Sequence, residues 1–515
     1  MNKLPSYENV RKSLSLEQKI GQLFMPAAFI NDTEEAVQKL ENLIKKHAIG
    51  SLCFFHSRAS AATNFEGKKE VVHNAKSYDR LCYLIQRYQQ VAPYPLLIAI
   101  DAEWGLAMRI ENTPQYPYAI TLGAMKEQEK LVYEVGKSIG KDCKEAGIHW
   151  NLSPVVDINL NPNNPVIGYR SFGRDKNVVT QYAKAYLTGM RAQGVLNAIK
   201  HFPGHGDTAT DSHLGLPLID KSKTELLENE LYPFLQLIEE DIDAVMVGHL
   251  AVPSLSEGKR ICSSISHNIL TGFLREKLGW EGVIISDALN MHAIAKDFTE
   301  KGAVECAAFR AGNDVLCFAD HPVEGIQRIL ATCSQKHIEE SFKRFWKLKE
   351  KARRLEELEA PPIQEHQNLM LQLAQKSLTV LKGTSTDIHN FKREGFRYLQ
   401  IGKQTGYFFD HSDTKKRHEN SVVLGIFPRQ VKPKDDFGFT TEEILQMRQV
   451  IHEQNTVIYL FGNPFVLNLI PWHKAEAVVV VYQDMETFQK NALSHFKGDV
   501  SAEGQIPVTL KNTNG

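Results

Sequence analysis

The chain has 515 residues, 43% hydrophobic and 23% charged, with 60 Lys and Arg against 61 Asp and Glu. That balance is ordinary for a globular protein, and a net charge of -1 gives no electrostatic case for nucleic acid or an anionic membrane as partner. The length calls for more than one domain, or one large domain with a satellite.

The seven Cys are scattered, none in a CxxC pair and several in apolar runs, so they read as reduced core thiols rather than a disulfide framework or zinc cage. The first ten residues lack an apolar h-region, and no apolar run approaches the roughly 20 residues of a membrane span. The expected address is cytoplasmic, or periplasmic if a leader has been removed.

From residue 20 onward, apolar strand-like runs alternate with amphipathic helices. The runs are 20–29, 50–55, 95–100, 149–156, 195–199, 242–247, 282–285 and 314–318. Helical patterns separate most of them: 33–49, with Val37, Leu40, Leu43 and Ile44 on one face, then 77–91, 177–193, 224–240 and 267–278. Eight strands alternating with helices over about 330 residues predict an α/β fold, a TIM-like (β/α)8 barrel. An open doubly wound sheet is the alternative, but no Gly-rich fingerprint follows an early strand.

A barrel places functional residues on the loops that follow its strands. Polar residues do cluster there: Asp101, Glu103 and Arg109 after the third run, Asp157 and the loop 164–174 after the fourth, Gly248 and His249 after the sixth, Ser286 and Asp287 after the seventh. A long charged helix at 337–359, anchored by Phe342, Phe345, Trp346 and Leu348, ends at Pro361 and Pro362. Beyond it lie apolar runs at 378–382, 398–401, 422–427, 457–461, 477–482 and 506–510, which predict a second, smaller α/β sandwich domain. The expected division is a barrel over 1–358, a linker over 359–364 and the sandwich over 365–515.

After the fifth run comes the stretch that organises the rest, Lys200-His-Phe-Pro-Gly-His-Gly-Asp-Thr-Ala-Thr-Asp-Ser-His213. It packs three His, two Asp and one Lys into fourteen residues, and Pro203, Gly204 and Gly206 keep it out of helix and long strand. Three readings of it compete. It is a solvated loop whose polar residues fill turns, a metal site drawing on His and Asp, or an acid/base loop in which Asp211 fixes the tautomer of His213. Asp287, closing an apolar strand, has two readings as well: a nucleophile, or the N-cap of the next helix.

The string K-H-F-P-G-H-G-D-T-x-x-D-S-H resembles the signature of the N-acetylglucosaminidase branch of glycoside hydrolase family 3. The resemblance extends to the V-I-x-S-D context of Asp287, to a D-x-E-x-G-x-x-x-R segment at 101–109, to R-S-F-G at Arg170, and to the closing Gly-Gln-Ile-Pro-Val-Thr. Many members carry Gly where this chain has Trp104.

The resemblance implies the following roles. Asp287 is the nucleophile, and His213 is the general acid/base, assisted by Asp211. Lys200 and His201 bind sugar hydroxyls, Asp101 accepts ring hydroxyls with Arg109 in support, and Arg170 contacts the sugar. Glu103 is a structural partner, and His205 and Asp207 brace the loop. His249 is a further binding candidate, with a packed core His as the alternative.

The activity implied is that of a retaining β-N-acetylhexosaminidase, without cofactor or metal, acting on terminal non-reducing β-linked GlcNAc, with peptidoglycan fragments as the expected source. Three rivals stand beside it: a phosphorylase of the same family, a metal-dependent barrel hydrolase using His201, His205, Asp207 and His213, and a sugar-binding module with a degenerate site. No signal in the sequence fixes the oligomeric state.

Overall fold

The computed structural model describes residues 4–56, 72–209, 215–295, 298–357, 359–403, 406–408 and 420–511. By internal packing the chain divides into two units. The first comprises Met1–Tyr116, Tyr133–Asp157 and Ala183–Ile363; the second comprises Pro117–Val132, Ile158–Tyr182 and Gln364–Gly515.

Eight parallel strands form the first unit's barrel. β1 runs in two pieces, Phe24–Met25 and Ala27–Phe29, split at Pro26, which has no N–H for the ladder. β2 is Ser51–Phe55, β3 Leu97–Ile100 and β4 Trp150–Asn151. β5 is also split, into Leu196–Asn197 and Ile199–Phe202. β6 is Ala244–Val247, β7 Val283–Ser286 and β8 Leu316–Cys317. Each strand pairs with the next in parallel, the step from β7 to β8 being the single bridge of Ile285 to Val315. β8 then returns to β1 through Phe24–Leu316 and Met25–Cys317, which closes the ring.

All eight predicted runs therefore contain a barrel strand. They are largely apolar because a parallel strand is buried on both faces; β2, β3, β6 and β7 have no exposed residue. Two local expectations change. Residues 20–22 belong to the helix Leu16–Gln22, so β1 begins later than its apolar run. The helix expected over 224–240 is two, Lys223–Glu228 and Tyr232–Ile238. Pro233 lies in the first turn of the second, where its missing N–H costs nothing, whereas inside one continuous helix it would break a hydrogen bond. The long helix spans Gln335–Glu356, and buries Phe342, Phe345, Trp346 and Leu348. No described helix is long and apolar enough to cross a membrane.

The second unit carries a five-stranded sheet, an α/β sandwich with its helices. Its strands are β9 Thr379–Lys382, β10 Arg397–Gly402, β11 Ser421–Phe427, β12 Asn455–Leu460 and β13 Ala477–Val480. Their order is β9-β13-β12-β11-β10, with β9 antiparallel and the others parallel. The run at 506–510, expected as a sixth strand, joins no ladder. Pro507 has no N–H to give, and the segment is held by single bonds instead: Gly504 N–H to the Leu378 carbonyl (2.8 Å), Gln505 N–H to Ala124 (2.8 Å) and Arg174 N–H to the Pro507 carbonyl (2.9 Å).

Candidate active site

Lys200 lies inside β5 with its side chain only 2% exposed. A buried ammonium needs carboxylate partners, and among the described residues Nζ donates to Asp101 Oδ1 at 2.8 Å and stands 2.7 Å from Glu103 Oε1. Both carboxylates come from the loop after β3. Arg109 Nη2 donates to the other oxygen of Asp101 at 3.1 Å, and its guanidinium lies 5.1 Å from the Phe55 ring centre. Burial opposes the charge on Asp101, yet Lys200 and Arg109 outweigh it and hold the carboxyl below its ordinary value.

Asp157, after β4, is fully buried and gathers the start of the organising loop. It accepts the His201 N–H (3.2 Å), the His205 N–H (2.6 Å) and a bond with His201 Nδ1 (2.7 Å). The Lys200–His201 and Phe202–Pro203 peptides are both cis. Gly204 turns the chain at φ +117°, and a Cβ there would stand 2.8 Å from Glu230 Cβ, so only glycine fits. His205 Nδ1 pairs with Thr208 Oγ1 at 2.7 Å, and Asp207 with Lys221 at 2.6 Å. These two residues brace the loop as expected. Burial pushes the His205 imidazole down to about 4, so it is neutral at neutral pH. Among the described residues, no three His, Cys, Asp or Glu side chains are arranged to hold a metal ion. Asp211 and His213 lie outside the described residues.

Asp287 follows β7 and is tied on both sides. Its N–H donates to the Val247 carbonyl at the end of β6 (3.0 Å), and its Oδ1 accepts the Ala288 N–H (2.8 Å). Burial would raise its pKa, but His249, His201, the Ala288 N–H and Lys200 outweigh burial and hold the carboxyl at about 2. Asp287 is thus an ionised carboxylate facing cationic and N–H groups.

His249 carried two expectations, a sugar-binding residue or a packed core His. It is fully buried, and both ring nitrogens are engaged: Nδ1 with Ser264 Oγ at 2.8 Å, Nε2 with the Ala288 carbonyl at 2.9 Å. A carbonyl only accepts, so Nε2 carries a proton. Burial pushes the imidazole down, but Cys262, Asp287 and the Ala288 carbonyl prevail and lift it to about 9. His249 therefore grips the backbone beside Asp287 and lends it positive charge.

Arg170 belongs to the second unit, where it closes the short turn Gly168–Arg170, and its Nη1 donates to the Val166 carbonyl at 3.4 Å. Three aromatic side chains escaped the sequence reading. Phe29 and Phe55 end β1 and β2, and Phe318 follows β8; their ring centres lie 6.0 Å (Phe29–Phe55), 5.8 Å (Phe29–Phe318) and 5.0 Å (Phe55–Phe318) apart. An aromatic as the last residue of an apolar run was their available signal. Ser264 had none, since it sits in a single 3-10 turn, Ser263–Ile265, with no apolar periodicity.

Residues 15–355, well over half of the chain, match the N-terminal domain of glycosyl hydrolase family 3. The chain belongs to this family. Beta-hexosaminidase A of Pseudoalteromonas piscicida is 34% identical over 291 residues, a match covering 54% of this chain and 47%, less than half, of that protein. The beta-hexosaminidase of Hydrogenovibrio crunogenus is 33% identical over 256 residues, 48% of this chain and 70% of that one. Among solved structures, the family 3 beta-N-acetylglucosaminidase from Paenibacillus sp. str. FPU-7 superposes with a TM-score of 0.77 at 24% identity, covering 97% of this chain and 100% of that one. A beta-glucoside phosphorylase bound to 2FGlc gives 0.78 at 20% identity, over 98% and 95%. At such identities these likenesses concern the fold: a barrel followed by an α/β sandwich along nearly the whole family 3 chain.

Proposed function

We propose that the chain is a retaining β-N-acetylhexosaminidase that removes terminal non-reducing β-linked GlcNAc, with Asp287 as nucleophile. The observation that carries this reading is the Asp287 carboxylate, ionised at the end of β7 and backed by His249, in a family 3 barrel whose relatives are named beta-hexosaminidases. Asp287 attacks the anomeric carbon, while His213, oriented by Asp211, gives a proton to the leaving oxygen. The resulting glycosyl ester is opened by water, which His213 deprotonates as it attacks. Asp101, its charge balanced by Lys200 and Arg109, accepts hydrogen bonds from ring hydroxyls; His201 adds a further sugar contact. GlcNAc-bearing fragments of peptidoglycan are the substrate class proposed.

A fluorinated GlcNAc analogue with a good leaving group, which forms the ester and releases it slowly, tests the assignment. Peptide mass spectrometry should find the label on Asp287, and Asp287→Ala should lower turnover by several orders of magnitude with its circular dichroism unchanged. A label on any other carboxylate overturns it.

A further inference from the structure

Away from Asp287, two helices beside β8 bring a pair of thiols together. Cys306 lies on the helix Ala303–Ala311, and Cys333 is the first residue after the helix Pro322–Thr332. The two helices pack almost backbone to backbone: a Cβ on Gly325 would stand 3.1 Å from Glu305 Cβ. They are also joined by the Glu305 carboxylate, which accepts the His321 N–H at 2.9 Å. The hydroxyl of Thr332 contacts both thiols, 3.4 Å from Cys306 Sγ and 3.8 Å from Cys333 Sγ. Cys306 is 8% exposed, Cys333 is half-buried and Thr332 is exposed, so the pair lies just under the surface.

We propose that Cys306 and Cys333 form a redox-reactive dithiol, a modification site that accepts low-molecular-weight disulfides and closes into a reversible Cys306–Cys333 bridge. Cys306 is the attacking group. The Cys333 thiol and, against burial, the Thr332 hydroxyl, Arg310 on its own helix and Arg328 on the facing one lower its pKa to about 6. Cys333 moves in the opposite direction, chiefly because it faces Cys306, and so keeps its proton. A thiolate beside a protonated thiol is the pairing that thiol–disulfide exchange uses.

The steps balance. The Cys306 thiolate attacks one sulfur of glutathione disulfide and expels a glutathione thiolate, leaving a mixed disulfide. Cys333 then loses its proton to solvent and attacks the Cys306 sulfur, expelling the second glutathione thiolate. Two protein thiols are oxidised, and one glutathione disulfide is reduced to two thiols. The bridge encloses β8 and ties the two helices at a second point.

The test uses the full chain treated with oxidised glutathione, alkylated, digested without reductant and read by mass spectrometry. A linked peptide joining Cys306 to Cys333, reversed by reductant, is expected, together with a rise in Tm of about 5 °C from the restricted unfolded chain. In Cys333→Ser the reaction should stop at a glutathione adduct on Cys306. In the untreated protein, alkylation of Cys306 should speed up only about twofold between pH 6 and pH 8, against roughly seventyfold for a thiol of ordinary pKa near 8.5. Free, alkylated Cys306 and Cys333 after oxidation overturn the proposal, as does a bridge between other cysteines. So does a Cys306 alkylation rate that climbs as steeply as that of an ordinary thiol.

Discussion

Asp287 and His249 perturb one another in opposite senses, and the folded state gains from both. The Asp287 carboxyl is lowered from 3.8 to about 2, chiefly because His249 and His201 outweigh burial. Its contribution to stability is therefore complete above pH 3.8 and lost as pH falls through about 2. The His249 imidazole is raised from 6.5 to about 9, so its contribution is complete below pH 6.5 and lost as pH rises through about 9. Between pH 3.8 and pH 6.5 the pair leaves stability flat. Thermal unfolding across pH 3 to 10 should show an alkaline decline that His249→Asn weakens. An unchanged alkaline limb in that variant would mean that His249 is already neutral and leaves Asp287 without the charge that lowers it most.

At the scale of elements, the sequence was informative where function or burial is written in contiguous residues. Eight apolar runs marked eight strands because a barrel strand is buried on both faces and needs no partner's identity to be recognised. The stretch from Lys200 to His213 stood out because its chemistry sits in one loop. What escaped the sequence depends on distant partners. Asp157 meets its ligands on β5, 44 residues on, and His249 is defined by Ala288, 39 residues on. Nothing in the apolarity of 506–510 revealed that no strand edge would receive it.

The loop also yields two tests. Gly204→Ala puts a Cβ at positive φ against Glu230 and should cost at least about 1 kcal/mol, read as a lower urea midpoint with an unchanged m-value. An unaltered midpoint would mean that the turn relaxes freely. Asp211→Ala and His213→Ala should each slow turnover strongly, and the double variant little further, because a dyad acts as one unit. Fully additive losses would separate the two residues.

At the scale of the whole molecule the question is which glycoside the barrel serves. In the proposed function the organising loop supplies Asp211 and His213 as an acid/base pair, and that reading ties the site to the 2-acetamido group of the sugar. A site built to fill an apolar niche with the acetyl methyl and to pair its amide penalises a sugar that lacks both, since the pairing group is then left buried and alone. We expect kcat/KM for a nitrophenyl β-GlcNAc glycoside to exceed that for the β-glucoside by at least ~100-fold, about 2.7 kcal/mol at the transition state. Both glycosides are measured at one enzyme concentration, with and without phosphate, because a His acid/base presents an imidazole, not a carboxylate, to the incoming nucleophile and so repels an anion less. Hydrolysis should proceed at the same rate in both buffers. A glucoside preference would detach the loop from specificity even with Asp287 labelled, and a sugar 1-phosphate appearing only with phosphate would turn the hydrolase into a phosphorylase built on the same nucleophile.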